Sequence, residues 1–275
     1  MNASPLPGRF DTASPRPRVS VPRHAAPLVS FITVAYGTGS IIVDSIASLV
    51  ESLAGSDIPY EYLVVDNAHA EAEHRTCNHL LLATAGVRVV RPGHNLGFAG
   101  GCEMGVLHTS GDVLAFVNPD VLFEPGWLEP LLRHLDDPAV SIVSPVLLEP
   151  DGSVQEAGYR LFSDGSVAPI LEAPGADETV RPDYASAACW VMKRVEHERL
   201  GGLAPDYFPA YYEDVDFALR AAALGGGTLV VGASTIVHLH HGSTDDSTVP
   251  DVSRQRRTLL ELWPSVARVQ PQPPA

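Results

Sequence analysis

Cysteine is scarce in this sequence. Cys77, Cys102 and Cys189 are the three in 275 residues, an odd number with no paired spacing. That argues against a disulfide framework and a cysteine-based zinc cluster, and it fits a reducing compartment. Positive charge is short as well: 18 Lys and Arg stand against 33 Asp and Glu, a formal net charge of -15. Such a chain repels nucleic-acid phosphates, so nucleic acid is not an expected partner. A phosphate-bearing substrate would need local neutralisation, and in so acidic a protein a divalent cation is its natural source. Long apolar runs are missing too. No stretch approaches the ~18 apolar residues of a membrane span, and the N-terminus has no apolar signal core. The expected location is cytoplasmic, with contact at the inner face of a membrane left open.

What is present is enough apolar sequence, 45% of residues, for one sizeable core. Residues 1–27 carry six prolines and no hydrophobic period, so they read as a disordered leader. Residues 264–275 read as a flexible tail. Residues 28–263 form the expected domain, an α/β fold in which strand and helix patterns alternate around a largely parallel sheet.

Residues 28–35 are an apolar run of strand length. Ile42, Ile46, Leu49, Val50 and Leu53 then recur at helical spacing, with Ser40 a plausible N-cap. Further strands are expected at 62–65, 87–90, 113–117, 141–148 and 228–237. Further helices are expected between 67 and 86, after the Gly-rich stretch 95–105, and at 127–135, 195–200 and 214–224. Residues 158–181 are rich in Gly and Pro and fit neither pattern.

In open α/β sheets, ligands sit beyond the carboxyl ends of the strands. Here those positions are acidic: Asp66, Asn118-Pro119-Asp120 and, opening a late helix, Glu213-Asp214. Three acidic sites at such positions suit a metal-diphosphate site plus a base. Each also has a plain structural reading, as a turn, an Asx turn or a partner for a helix dipole.

Order and company decide between these readings. The segments Val34-Ala35-Tyr36, Val64-Val65-Asp66-Asn67, Asn95 to Gly101, Asn118-Pro119-Asp120 and Tyr211-Tyr212-Glu213-Asp214 through Arg220 together resemble family-2 glycosyltransferases of the rhamnosyltransferase-like branch. The resemblance runs from about Val29 to Thr244. It implies a GT-A fold, with a nucleotide-binding half at 28–120 continuous with an acceptor-binding half at 121–263.

By that resemblance, Ala35 and Tyr36 line the nucleotide pocket and Asp66 accepts hydrogen bonds from the donor base. Asn95, Gly97, Gly100 and Asn118 frame the nucleotide sugar. Asp120 matches the main carboxylate on Mg²⁺ or Mn²⁺, and His238 matches a strand-terminal metal or phosphate contact, with His240 and His241 as competitors. Asp214 is the implied general base, with Glu213 in support. Trp190, Tyr211 and Tyr212 are candidates for sugar stacking, although aromatic residues this near a core are more often packing. Asp216 and Arg220, four apart on a helix, read as a structural ion pair.

Glu103, His69, Ala187 and Leu203-Ala204 depart from the family pattern, and the last two put the identity of the acceptor in doubt. The function implied is metal-assisted, inverting transfer of a sugar, with L-rhamnose the leading donor. The donor would be a nucleotide diphosphate sugar and the acceptor a glycan or lipid-linked hydroxyl. A homodimer is left open. Two rivals remain: a nucleotidyltransferase of similar fold, disfavoured because Val34 to Ser40 has no Lys or Arg, and a degenerate sugar-nucleotide or glycan-binding module, disfavoured by the intact Asp120 and Asp214.

Overall fold

A computed structural model describes residues 19–67, 84–239 and 251–269. The expected helix between 67 and 86, together with His69, Cys77, His240 and His241, falls largely or wholly outside these residues.

The amino-terminal half begins with β1 (Val29–Ala35), buried at all seven positions. A strand without polar alternation must be covered on both faces, and helices supply the cover. On one face lies α1 (Ile41–Ser52), which buries Ile42, Val43, Ile46 and Leu49. Ser40 precedes it but makes no side-chain cap. On β1 itself, α2 (Gly97–Leu107) packs through its glycines. A Cβ on Gly101 would come within 2.7 Å of the Val34 side chain, and one on Gly105 would overlap Ile32. The Gly-rich stretch is therefore the helix itself, brought close to the sheet by its lack of side chains.

The remaining strands are β2 (Tyr60–Asp66), β3 (Arg88–Val90), β4 (Val113–Val117), β5 (Val121–Phe123), β6 (Ile142–Leu148), β7 (Val154–Glu156), β8 (Tyr159–Leu161), β9 (Val167–Pro169), β10 (Thr179–Val180), β11 (Cys189–Lys193) and β12 (Thr228–His238). The main sheet runs β10-β12-β6-β11-β4-β1-β2-β3, with β5 on β12 and β7 on β6. Along that path β3-β2-β1-β4 and β6-β12 are parallel, whereas β11 runs antiparallel between β4 and β6. The mixed sheet thus keeps a parallel amino-terminal half, and the sequence pattern implies a largely parallel sheet. Because β1 lies between β2 and β4, the chain reverses direction across the sheet at β1, and a crevice opens at the carboxyl ends of these strands.

The second half carries α3 (Leu128–Leu132), α4 (Arg194–Leu200), α5 (Glu213–Ala223) and α6 (Ser253–Leu262). Strands β5, β7 and β11 and helix α6 are not anticipated by the sequence reading. The stretch 158–181 resolves into the β8-β9 hairpin and the edge strand β10.

Both tail boundaries move outward. Val21 is buried in the main core, its amide donates to the Ala85 carbonyl at 2.8 Å, and Ser20 bridges Ala85. Two valines, Val19 and Val21, between prolines are too few to give a period, so packing here leaves no sequence signal. At the other end, Pro264–Arg268 forms a 3-10 turn that buries Val266.

Candidate functional site

A cavity of about 570 Å³ opens at the carboxyl ends of β1, β2 and β4. Val34, Tyr36, Asn67, Asn95 and Gly97 form its first wall, while Asn118, Asp120 and His238 form another part. Tyr211, Tyr212, Glu213 and Asp214 enter from the start of α5. The five separated sequence segments therefore meet in one place. A second cavity, of about 500 Å³, lies beside the start of β4 and contains none of these residues.

Asn67 organises the first wall. Its Nδ2 donates to Asn95 Oδ1 and to the Gly97 carbonyl, both at 3.0 Å, and its Oδ1 accepts from the Leu96 amide at 2.9 Å. Asn95 Oδ1 also accepts from the Gly97 amide at 2.8 Å. Gly97 has φ +73°, and a Cβ there would stand 2.7 Å from the Pro209 carbonyl oxygen. The Phe98 amide donates to that same oxygen at 2.7 Å, so the start of α2 holds the loop that leads into α5.

Not every expected nucleotide residue faces the cavity. The Ala35 side chain is buried in the core, and Val34 and Tyr36 form the wall around it. Asp66 is buried at the end of β2, where its Oδ2 accepts from Arg91 Nε at 2.7 Å. Gly100 lies against Leu96 within α2.

The next wall follows from strand pairing. Val121 of β5 pairs with His238 of β12, which sets Asp120 beside the imidazole. Asp120 Oδ1 lies 3.4 Å from His238 Nε2, and Asn118 Nδ2 is also 3.4 Å from that nitrogen. Two donor atoms, one carboxylate oxygen and one imidazole nitrogen, thus converge on one wall. Among the described residues no group of three or more His, Cys, Asp or Glu side chains is placed to hold a metal. A hard cation takes mixed ligands, however, and completes its shell with phosphate oxygen and water. The donor set fits Mg²⁺ or Mn²⁺ bound together with a diphosphate.

The third wall is acidic. Asp214 is half-buried, and its Oδ1 accepts from the Val215 amide at 2.8 Å. Burial pushes its carboxyl up to about 7, aided by the nearby Glu156 and opposed by backbone N–H groups of Val215 and Ala187. Glu213 is buried, and among the described residues Oε2 has no hydrogen-bond partner. Burial and then the charge of Asp214 hold its carboxyl well above the usual carboxylate range. Glu156 is buried on β7, where Oε1 accepts from the Ser186 amide at 3.1 Å and hydroxyl at 3.0 Å. Burial raises its carboxyl as well. Perturbed carboxyls gathered in a cleft mark a functional site.

Tyr211 and Tyr212 reach this wall with φ of +76° and +75°, a conformation that costs a bulky residue of order 1–3 kcal/mol. Tyr212 is anchored by its hydroxyl, which donates to the Gly165 carbonyl at 2.8 Å. Tyr211 remains exposed at the cavity edge. Trp190 requires a correction. It is fully buried, its Nε1 donates to the Ala185 carbonyl at 3.0 Å and it packs on Phe217, so it offers no face to a sugar. Asp216 and Arg220 form the expected ion pair at 2.8 Å.

Asn67, Gln155 and Glu156 are the site residues that sequence reasoning passed over. Asn67 had a signal, since it adjoins Asp66 at a strand end. Gln155 and Glu156 had none, because a three-residue strand after a turn has no legible period.

Residues 30–197 match the family described as glycosyl transferase family 2. That span holds the first wall and Asp120, while Glu213, Asp214 and His238 lie beyond it. The O-antigen biosynthesis protein RfbC of Myxococcus xanthus is 27% identical over 279 residues, covering 95% of this chain and 21% of the relative. The pre-mycofactocin glycosyltransferase of Mycobacterium tuberculosis is 25% identical over 229 residues, covering 83% of this chain and 43% of the relative. The chain therefore spans less than half the length of these relatives.

Among solved structures, GalNAc-T7 with UDP, GalNAc and Mn²⁺ superposes with a TM-score of 0.67 at 15% identity, covering 86% of this chain and 48% of that one. The mannosyltransferase PcManGT of Pyrobaculum calidifontis, with GDP-Man and Mn²⁺, gives 0.56 at 20% identity, covering 94% and 69%. These likenesses show a GT-A fold. No helix among the described residues is long and apolar enough to cross a membrane. With the family match extending over more than half its length, the chain belongs to glycosyl transferase family 2.

Proposed function

We propose that this protein transfers a sugar, with inversion, from a nucleoside diphosphate donor to an acceptor hydroxyl, with Asp214 as general base. One observation carries the reading: the Asp120-His238 pair and the raised carboxyl of Asp214 line the same cavity from different elements.

Asp120 and His238 would hold Mg²⁺ or Mn²⁺, which when bound neutralises charge on the diphosphate. Tyr36, Asn67 and Asn95 would face the nucleotide, with the Asn67 bonds keeping that wall in shape.

In the transfer step the acceptor oxygen bonds to the anomeric carbon as the hydroxyl proton passes to the Asp214 carboxylate. The bond from that carbon to the diphosphate oxygen breaks, and the electron pair leaves with the diphosphate. A single displacement inverts the anomeric centre. A base works best when its pKa lies near the working pH, and burial brings Asp214 there. Glu213, whose carboxyl burial and the charge of Asp214 raise, would support the base from beside it, and Tyr211 and Tyr212 would flank the acceptor.

The motif resemblance favours L-rhamnose, and likeness to an O-antigen biosynthesis protein favours a glycan or lipid-linked acceptor. A thermal-shift screen of nucleoside diphosphates with and without Mn²⁺ identifies the base, since a ligand that binds only the folded state raises Tm by mass action. Donor turnover with simple glycoside acceptors then tests transfer. A protein that binds nucleotide yet never cleaves a donor would be a binding module instead.

A further inference from the structure

Gln155 makes a two-point contact with a single residue. Its Oε1 lies 2.8 Å from His238 Nδ1, and its Nε2 donates to the His238 carbonyl oxygen at 3.1 Å. The same Nε2 donates its second hydrogen to Glu149 Oε1 at 3.1 Å. Both Gln155 and His238 are buried. The direction of these bonds follows from chemistry. A carbonyl and a carboxylate can only accept, so the amide nitrogen must face them and the amide oxygen must face the ring. An amide oxygen has no proton to give, so the bond requires one on Nδ1. Neutral imidazole carries one N–H, and the lone pair then resides on Nε2, the nitrogen 3.4 Å from both Asp120 Oδ1 and Asn118 Nδ2.

We propose that Gln155 is a positioning residue that locks His238 in the Nδ1–H tautomer, so that Nε2 presents its lone pair beside Asp120 to a divalent cation. This rests on the metal reading of the preceding section and deepens it. A histidine that ligates a metal usually donates its other N–H to a fixed acceptor, which sets ring orientation and basicity. Losing that acceptor typically weakens metal binding by about 10–100-fold. Gln155 also grips the carbonyl of the same residue, so ring and backbone are held together. The carboxylate of Glu149 keeps the amide from flipping.

Two substitutions separate positioning from stability. Gln155→Met keeps the volume and removes the acceptor. Gln155→Glu keeps an acceptor for Nδ1–H but turns its second oxygen toward the His238 carbonyl and Glu149, so its Tm should fall. The tautomer is read without metal, from long-range ¹H–¹⁵N correlations of labelled histidine at about pH 8.5, above the ordinary imidazole range. The His238 signals are identified by their loss in His238→Gln. Mn²⁺ affinity is measured separately by electron paramagnetic resonance of the free ion.

Wild type should show Nδ1–H. Gln155→Met should shift toward Nε2–H and lose Mn²⁺ affinity by about 10–100-fold, while Gln155→Glu should keep tautomer and affinity despite its lower Tm. An Nε2–H tautomer in wild type overturns the proposal, even if the variants fail to fold. So does a Gln155→Met protein with wild-type tautomer and affinity. If wild type takes up no Mn²⁺, with or without nucleotide, the metal half of the proposal falls with the metal reading, and the spectrum alone decides whether Gln155 fixes the tautomer.

Discussion

Val121 and His238 face each other across the antiparallel β5-β12 ladder, and this pairing builds the cavity wall that carries Asp120. The Leu239 amide extends it by donating to the Asp120 carbonyl at 3.0 Å. Because the backbone fixes both residues, Asp120→Asn should leave the fold intact while removing the charge that draws a cation. Calorimetry should show Mn²⁺-dependent nucleotide affinity falling by more than about tenfold, or 1.4 kcal/mol. Metal-free nucleotide binding should be unchanged. Equal Mn²⁺ enhancement in the variant and the wild type would remove Asp120 from the metal site.

The glycines of α2 give a stability prediction. A methyl on Gly105 would overlap the Ile32 side chain in a buried strand, and overpacking of this kind typically costs about 1–3 kcal/mol. Gly105→Ala should therefore shift the urea midpoint downward with little change in slope. Gly100→Ala meets chiefly the flexible Leu96 side chain of its own helix terminus, so it should cost less. The reverse order would mean that α2 does not rest on β1 through Gly105.

These residues also show what was legible in the sequence. Val29–Ala35 and Val113–Val117 were readable because a strand covered on both faces is apolar throughout, and the polar residues that follow each strand marked the crevice. Asp120, Asp214 and His238 could be placed by their order in a motif set. Val121–Phe123 and Val154–Glu156 could not. They exist because a partner strand supplies their hydrogen bonds, and three residues are too few for a period. Trp190 misled for a related reason: an aromatic residue near motif positions reads alike whether it lines a cavity or fills a core. Only the β4-β11 ladder, which pairs Trp190 with Phe116, turns it away from the cavity.

Val21 tests the revised N-terminal boundary. It is 3% exposed and packs in the main core. Val21→Ala removes two buried carbons and should cost roughly 1–2 kcal/mol at about 0.8 kcal/mol per buried CH₂. Deleting residues 1–25 should lower Tm at least as much, because it also removes the backbone bond to Ala85. An unchanged Tm for both proteins would return the boundary to residue 28.

Asp214→Asn decides the mechanism, because chemistry and stability should move in opposite directions. As a base Asp214 acts in its ionised form, so wild-type kcat should rise with pH and level off above about 7, where burial has placed its carboxyl. Asn keeps the shape and the bond from the Val215 amide but cannot take a proton, so kcat should fall by about 10²–10⁴-fold on the wild-type plateau and by less at lower pH, where the wild-type base is itself protonated. Donor affinity should barely change, since the first wall and the Asp120-His238 pair lie on other elements. Stability follows from the direction of the shift. A carboxyl raised above its ordinary value of ~3.9 favours the folded state while protonated, and that contribution is lost as pH rises through about 7. An uncharged amide escapes the loss. The Tm of Asp214→Asn relative to wild type should therefore be higher at pH 8 than at pH 5. A residue that only complemented the dipole of α5 would behave differently: its loss would lower Tm by the equivalent of about 0.3–1 kcal/mol and leave kcat intact. Rates and melting curves across pH 5–9, with Glu213→Gln as the neighbouring control, separate the two cases, and near-normal turnover by Asp214→Asn would end the base assignment.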